Sequence, residues 1–297
     1  LKKNDLAAEN IDLFVFHQAN KFMLNTLRKL CNIEKEKFYI DMDMSGYEVN
    51  VVSDLYYQYW IEYRKGDEYF SILRPLIRDA EIDVKKIDSA ILSSVVPALI
   101  GAFVIVSQHL IGKKPIIIGP DMYDCLPIKL PESAKYEIGT DLLCNAVEAW
   151  SKYKSAAIIV DFGTALSFTA VDQNANVAGV AIAPGIGTAL KALFMNTAQL
   201  PSVPLEIPQS SLGKNTTSAI QSGILFGYKG LLESLINKMK DDMHKETGIN
   251  QNEIKVIATG GLNSMLQPIT SVFDCVDKKL TINGIITVAE FVKNNSK

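Results

Sequence analysis

Ala156-Ala157-Ile158-Ile159-Val160-Asp161-Phe162-Gly163-Thr164-Ala165 is the stretch that decides the fold. An unbroken apolar, β-branched run ended by an acid and a glycine predicts a buried strand over 156–160, with Asp161 delivered at its tip. The chain must turn after it. Glycine there permits close backbone approach, the turn offers N–H groups, and Thr164 adds a hydroxyl. Asp161 can hold a cation or cation-bound water beside phosphate oxygens. The same residues equally suit an Asp that only organises a turn after a strand.

Downstream, strands are expected at 167–171 and 177–182, and helices at 188–196 and 217–239. Ala183-Pro184-Gly185-Ile186-Gly187-Thr188 precedes the first of these helices. Its free N–H groups suit a phosphate, and it serves equally as a loop that starts a helix. A last buried strand at 255–258 runs into Thr259-Gly260-Gly261-Leu262, where an adenosine can lie on bare backbone or the chain can simply turn tightly. A terminal helix closes the pattern.

Upstream, Glu137-Ile138-Gly139-Thr140-Asp141 leads into a helix over 142–150. Asp141 suits an ordinary N-cap at least as well as a base that takes a proton from a substrate hydroxyl. Further back lie an apolar strand at 115–118, a helix ending near Gly112, a buried strand at 89–93 and an amphipathic helix at 67–80. Alternation over 48–63 predicts a pair of antiparallel strands. A βαβ-like fragment opens the chain: strand 12–16, helix 19–31 and strand 37–40. An apolar strand running into acid and glycine therefore occurs twice, at 38–46 and 158–163, which suits a duplicated fold with a phosphate loop in each lobe.

Composition narrows the function. At 297 residues the chain exceeds the size of a single core, so two lobes are expected. With 48% hydrophobic and 21% charged residues, and only short apolar runs, no membrane span is expected. A formal charge of -3 and the lack of a basic cluster interleaved with aromatics exclude an electrostatic drive toward nucleic acid. Cys31, Cys125, Cys144 and Cys275 are scattered, without metal or disulfide spacing, which fits a reducing cytoplasm. The chain opens on Leu1 without the phases of a secretion signal, and its frame is expected to extend upstream.

The order of these motifs is more specific than any one of them. Ser93-Ser94-Val95-Val96-Pro97, Gly139-Thr140-Asp141, Asp161-Phe162-Gly163-Thr164-Ala165, Ala183-Pro184-Gly185, Leu200-Pro201, Gly213-Lys214-Asn215-Thr216, Gln221-Ser222-Gly223 and Ala258-Thr259-Gly260-Gly261-Leu262 follow one another from about Trp60 to the C-terminus. In this the chain resembles the type III pantothenate kinases. The resemblance implies an α/β, duplicated ribonuclease-H-like fold of the actin-like ATPase superfamily. It also implies ATP-dependent phosphorylation of pantothenate, the first step of coenzyme A synthesis, by a cytoplasmic homodimer. Carried over motif by motif, Asp141 resembles the general base and Asp161 the ligand of a monovalent cation, potassium or ammonium. Thr164, Gly163, Gly260 and Gly261 resemble ATP contacts, with Mg²⁺ bridging the ATP phosphates. Gly139, Thr140 and Leu142 fall on the substrate loop. Thr216 resembles a pantothenate contact supplied across the dimer.

The opening departs from that pattern. The family's first strand ends in a DxGNT phosphate loop, and its nearest counterpart here is Asp43-Met44-Ser45-Gly46-Tyr47, with Asp43 as the first-lobe candidate for ATP. Leu142 stands where Arg is frequent, and Leu130 where Tyr is. Residues 10–46, with His17-Gln18-Ala19-Asn20, resemble the C-terminal part of a β-ketoacyl-acyl carrier protein synthase III. Only His17 matches that enzyme's catalytic set, and Tyr47 replaces the expected Asn, so condensation is not expected. The implied organisation is a synthase-like fragment at 1–46, able to supply the first strand through 37–40, then kinase lobes at 47–150 and 151–297. The alternative is a protein that binds nucleotide or pantothenate without transferring phosphate.

Overall fold

A computed structural model of the chain describes residues 13–15, 54–195, 201, 203–261 and 266–295, with side chains from residue 66 onward. Two compact units emerge, one from residues 1–119 with 139–141 and one from 120–138 with 142–297. The expected helix at 19–31, the strand at 37–40, His17 and Asp43 lie outside the described residues.

In the first unit, three short strands run parallel in the order β1 (Leu13–Val15), β2 (Ala90–Leu92), β3 (Ile116–Ile117). Leu13 registers on Ala90 and Ile91 on Ile116. All three residues of β2 are buried, as an inner strand of a parallel sheet requires. Helices α1 (Asp54–Asp79) and α2 (Pro97–Ile111) pack together, with Tyr69 stacked on Phe103 at 4.7 Å. Pro97 at the first turn and Gly112, in the left-handed region at φ 71°, bound α2. The antiparallel strands expected over 48–63 are not found in its described part: residues 54–63 are helical. Aromatic and β-branched residues there favour strands, yet Leu55, Tyr59 and Tyr63 also recur at i, i+4, i+8, in phase with the helix at 67–79. Once that helix forms, extending it is cheaper than nucleating a hairpin.

The second unit carries a five-stranded sheet in the order β6-β5-β4-β7-β8. Strands β4 (Ala157–Phe162), β5 (Ala165–Val171) and β6 (Val177–Pro184) form an antiparallel meander, while β7 (Lys255–Gly260) and β8 (Cys275–Val276) run parallel to β4. That 3-2-1-4-5 mixed order is the ribonuclease-H-like arrangement. The alternation of side chains splits β4 in two. Ile158, Val160 and Phe162 join the main core with Phe168, Val256 and the buried stripe Leu225, Leu232, Ile236 of the long helix α5 (Thr216–Thr247). Ala157, Ile159 and Asp161 face the other way.

Helix α3 (Thr140–Tyr153) begins two residues earlier than expected, and α4 (Ile186–Met195) follows β6 directly. On the last helix, α6 (Leu280–Asn295), Gly284 lies so close to the Cys144 carbonyl that any Cβ would collide with it. Helix α5 outruns the expected 217–239 because its charged end supports itself, Lys238 pairing with Asp242 at 2.6 Å before Gly248 stops it at φ 74°. At its start Asn215 and Ser218 cap each other's backbone, a reciprocal arrangement that contributes about 1 kcal/mol. No helix among the described residues is long and apolar enough to cross a membrane.

Candidate active site

Asp161 is the fifth residue of β4, in register with Ser167 of β5 and Thr259 of β7. It stands on the sheet face opposite the α5 core, and there it meets Asn145 of α3, whose Nδ2 donates to Asp161 Oδ2 at 2.9 Å. An ionised carboxylate only accepts hydrogen bonds, so the amide nitrogen has to face it. Asn145 Oδ1, on a residue with no exposed surface, is then left without a hydrogen-bond partner. Gly260 closes the other side. It ends β7 at φ 86°, and a Cβ there would lie 2.7 Å from Asp161 Oδ1 and from the Phe162 backbone N and O.

Beyond Asp161 the chain reverses through Gly163 and Thr164, both exposed, with the Gly163 N–H donating to Ala165 O at 3.0 Å. Two donors hold the far side of this turn. Gly185 N–H and Thr188 Oγ1 both donate to Thr164 O, at 2.9 and 2.7 Å. A side chain at Gly185 would overlap the Gly163 and Thr164 carbonyl groups, so the close approach requires glycine. Tyr228 of α5 anchors the brace by donating to Pro184 O at 2.6 Å, and burial raises its phenol pKa, which keeps the donor protonated. The Pro184–Thr188 segment therefore braces the hairpin from outside.

In the first unit, Ser93 Oγ just after β2 donates to Thr140 Oγ1 at 2.9 Å in a buried contact. Gly139 sits under its neighbours: a Cβ would be 2.5 Å from Asp141 Oδ1 and 3.3 Å from Val95 Cγ1. The Asp141 carboxylate thus folds back over the Gly139 backbone. Because α3 starts at Thr140, Asp141 lies within the first helical turn and is not the N-cap residue. Its negative charge is favoured there by the positive end of the helix dipole.

In the second unit, Leu142 is buried, Gly261 is an exposed turn residue, and Thr216 is the exposed first residue of α5. Thr216 lines an open cavity of about 780 Å³ with Leu193, Gly213, Lys214, Asn215 and Ala219. Sequence reasoning missed Asn145, Thr188 and the Ser93 to Thr140 bond as site features. The signals were present: Asn145 falls four residues after Asp141, and Thr188 ends the Pro-Gly-containing segment. Neither spacing names a partner on another element.

The donor set discriminates between cations. No cluster of three or more His, Cys, Asp or Glu suited to a metal occurs among the described residues. A divalent ion arriving with nucleotide phosphates needs only one or two carboxylates. A buried amide oxygen without a partner beside a carboxylate suits a weakly hydrated monovalent cation, whose ligands are oxygens.

Residues 53–238 match the family model for type III pantothenate kinase, and residues 1–51 match the model for the C-terminal part of 3-oxoacyl-[acyl-carrier-protein] synthase III. A type III pantothenate kinase of Treponema pallidum (strain Nichols) is 39% identical over 76% of this chain and 80% of that protein. Those of Citrifermentans bemidjiense and Moorella thermoacetica are 38% and 37% identical, over 74% and 76% of this chain and 83% and 86% of theirs. A solved Campylobacter jejuni structure described as a Baf family transcriptional activator overlays with a TM-score of 0.44 at 17% identity, over 68% of this chain and 81% of that one. With the family model spanning well over half the chain and the motifs falling on a braced hairpin and a helix start, this chain belongs to the type III pantothenate kinase family.

Proposed function

We propose that the protein phosphorylates pantothenate with ATP to give 4′-phosphopantothenate, opening coenzyme A synthesis. The carrying observation is the Asp161 hairpin: a carboxylate at a buried strand tip, next to an exposed Gly-Thr turn held rigid by Gly185 and Thr188. Phosphoryl transfer asks a protein mainly for positioning and charge, and a rigid turn supplies both. In this reading the pantothenate hydroxyl oxygen attacks the γ-phosphorus in line. Its bond to phosphorus forms as the bond to the β-γ bridging oxygen breaks, ADP leaves, and Asp141 takes the hydroxyl proton. Gly163 and Thr164 contact the phosphates, and Gly260 and Gly261 let the adenosine lie on bare backbone. Gly139, Thr140, Leu142 and Thr216 form the substrate side. Magnesium supplied with ATP and a potassium or ammonium ion at Asp161 would offset phosphate charge.

A homodimer completes this reading. Val180 and Ile182 on β6, Leu193 and Met195 on α4, and Ile207 and Leu212 beyond it are all exposed, Leu212 at 78%. Strand β6 is the edge of the described sheet, and exposed apolar residues along an edge mark a partner surface. A second copy covers it and brings Thr216 to its neighbour's substrate. Ile182→Lys is expected to convert a dimer to a monomer by light scattering and to raise KM for pantothenate. A dimeric Ile182→Lys protein would move the interface elsewhere.

The deciding assay is ATP-dependent formation of 4′-phosphopantothenate with and without potassium. Product that depends on both ATP and pantothenate, and rises with potassium, is the expected result. Binding of ATP or pantothenate without product would leave the binding-protein reading in place.

A further inference from the structure

Ser93 is a polar residue with no exposed surface, placed directly after β2, whose three residues are all apolar and buried. Its hydroxyl donates to Thr140 Oγ1 at 2.9 Å, and Thr140 is itself only 8% exposed. Two buried hydroxyls that bond each other add little stability over an apolar pair of the same shape, because each gives up water to do so. Burial alone therefore gives no reason for hydroxyls at both positions. What the bond does provide is direction. Threonine in a helix divides between two side-chain rotamers, and a donor held at the end of β2 selects one of them.

A second contact acts at the same place. Val95 Cγ1 lies 3.3 Å from where a Cβ on Gly139 would be. Between the two contacts Ser94 closes the loop on itself, its Oγ accepting from Val96 N–H and donating to Val96 O, both at 3.1 Å. The segment after β2 thus meets the Gly139–Asp141 turn at Ser93 and again at Val95. These three turn residues belong to the first unit, although the chain on either side of them belongs to the second. The Asp141 carboxylate folds back over Gly139, so what fixes the turn also fixes the carboxylate. We infer that Ser93 is a positioning residue: by holding Thr140 it fixes the turn that carries Asp141, and so sets the geometry in which the substrate hydroxyl loses its proton. The inference rests on the reading of Asp141 as the base.

The test is a double-mutant cycle on the full chain, with Ser93→Ala, Asp141→Asn and the two together, read as kcat, KM for ATP and melting temperature. Ser93→Ala is expected to lower kcat about tenfold, since a small misplacement of a reacting group costs that much or more, with KM for ATP unchanged. On the Asp141→Asn background the same change should cost less than about twofold, because a base that is gone cannot be misplaced. Ser93→Cys, close in volume but a weaker donor, should fall between serine and alanine. Where the alanine variant does not fold, the cysteine variant is carried through the same cycle. A serine variant that melts lower yet keeps kcat, or that lowers kcat equally on both backgrounds, assigns the residue to the fold and overturns the inference, as does failure of both variants to fold. Near-normal turnover by Asp141→Asn would instead remove the base, and the inference with it.

Discussion

Asp141→Asn is expected to lower kcat for pantothenate phosphorylation by about 10²–10⁴-fold, the usual contribution of a positioned base, while ATP affinity stays close to that of the unaltered protein. The substitution keeps the shape of a side chain folded over Gly139 in the first turn of α3, so the fold should persist. The ability to accept a proton is lost, and the negative charge with it. Loss of a charge at a helix start costs about 0.3–1 kcal/mol, too little to unfold the protein. Turnover is measured as 4′-phosphopantothenate formed at saturating ATP, and ATP binding by calorimetry. Near-normal turnover would remove Asp141 from the base role and leave it as a helix-dipole partner. A parallel loss of ATP binding would place it at the nucleotide instead.

Gly260→Ala is expected to destabilise the second unit and disturb its strand-end turn. Two costs coincide at this position: a backbone at φ 86°, which side chains with a Cβ rarely adopt, and a Cβ 2.7 Å from the Phe162 backbone and from Asp161 Oδ1. Backbone on the paired strand cannot swing aside as a flexible side chain can, so β4 and β7 must separate at their ends. A loss of about 1–3 kcal/mol in denaturant unfolding is expected, together with weaker ATP binding. Gly230→Ala provides the contrast. It sits exposed within α5 with open space around its missing Cβ, so alanine there should add about 0.5–1 kcal/mol. Equal effects from the two substitutions would show that the tight contact at Gly260 is not decisive.

Much of the second unit was legible because its signals are local. The run from Ala156 to Val160 has the apolar density of an inner strand, and Thr259-Gly260-Gly261 marks a strand that must turn. The first unit was harder to read. Residues 54–63 carry aromatic residues that suit either period, and the outcome depended on the helix they continue. The start of the helix that carries Asp141 was placed two residues too late, since helix starts are decided by a few backbone bonds that a sequence does not display.

The sequence by itself determined the order of the strands and helices from residue 67 onward, β8 apart, the glycine-bearing turns after β4 and β7, and the two acids available for chemistry, because each follows from residue type and spacing along a few consecutive positions. Only the tertiary structure decided that Asn145 holds Asp161, that Thr188 and Gly185 brace Thr164, that Ser93 meets Thr140, and that Leu13–Val15 runs beside Ala90–Leu92. Those pairs lie 16 to 77 residues apart, and which distant donor reaches which acceptor is settled by how strands and helices pack, information that no local pattern carries.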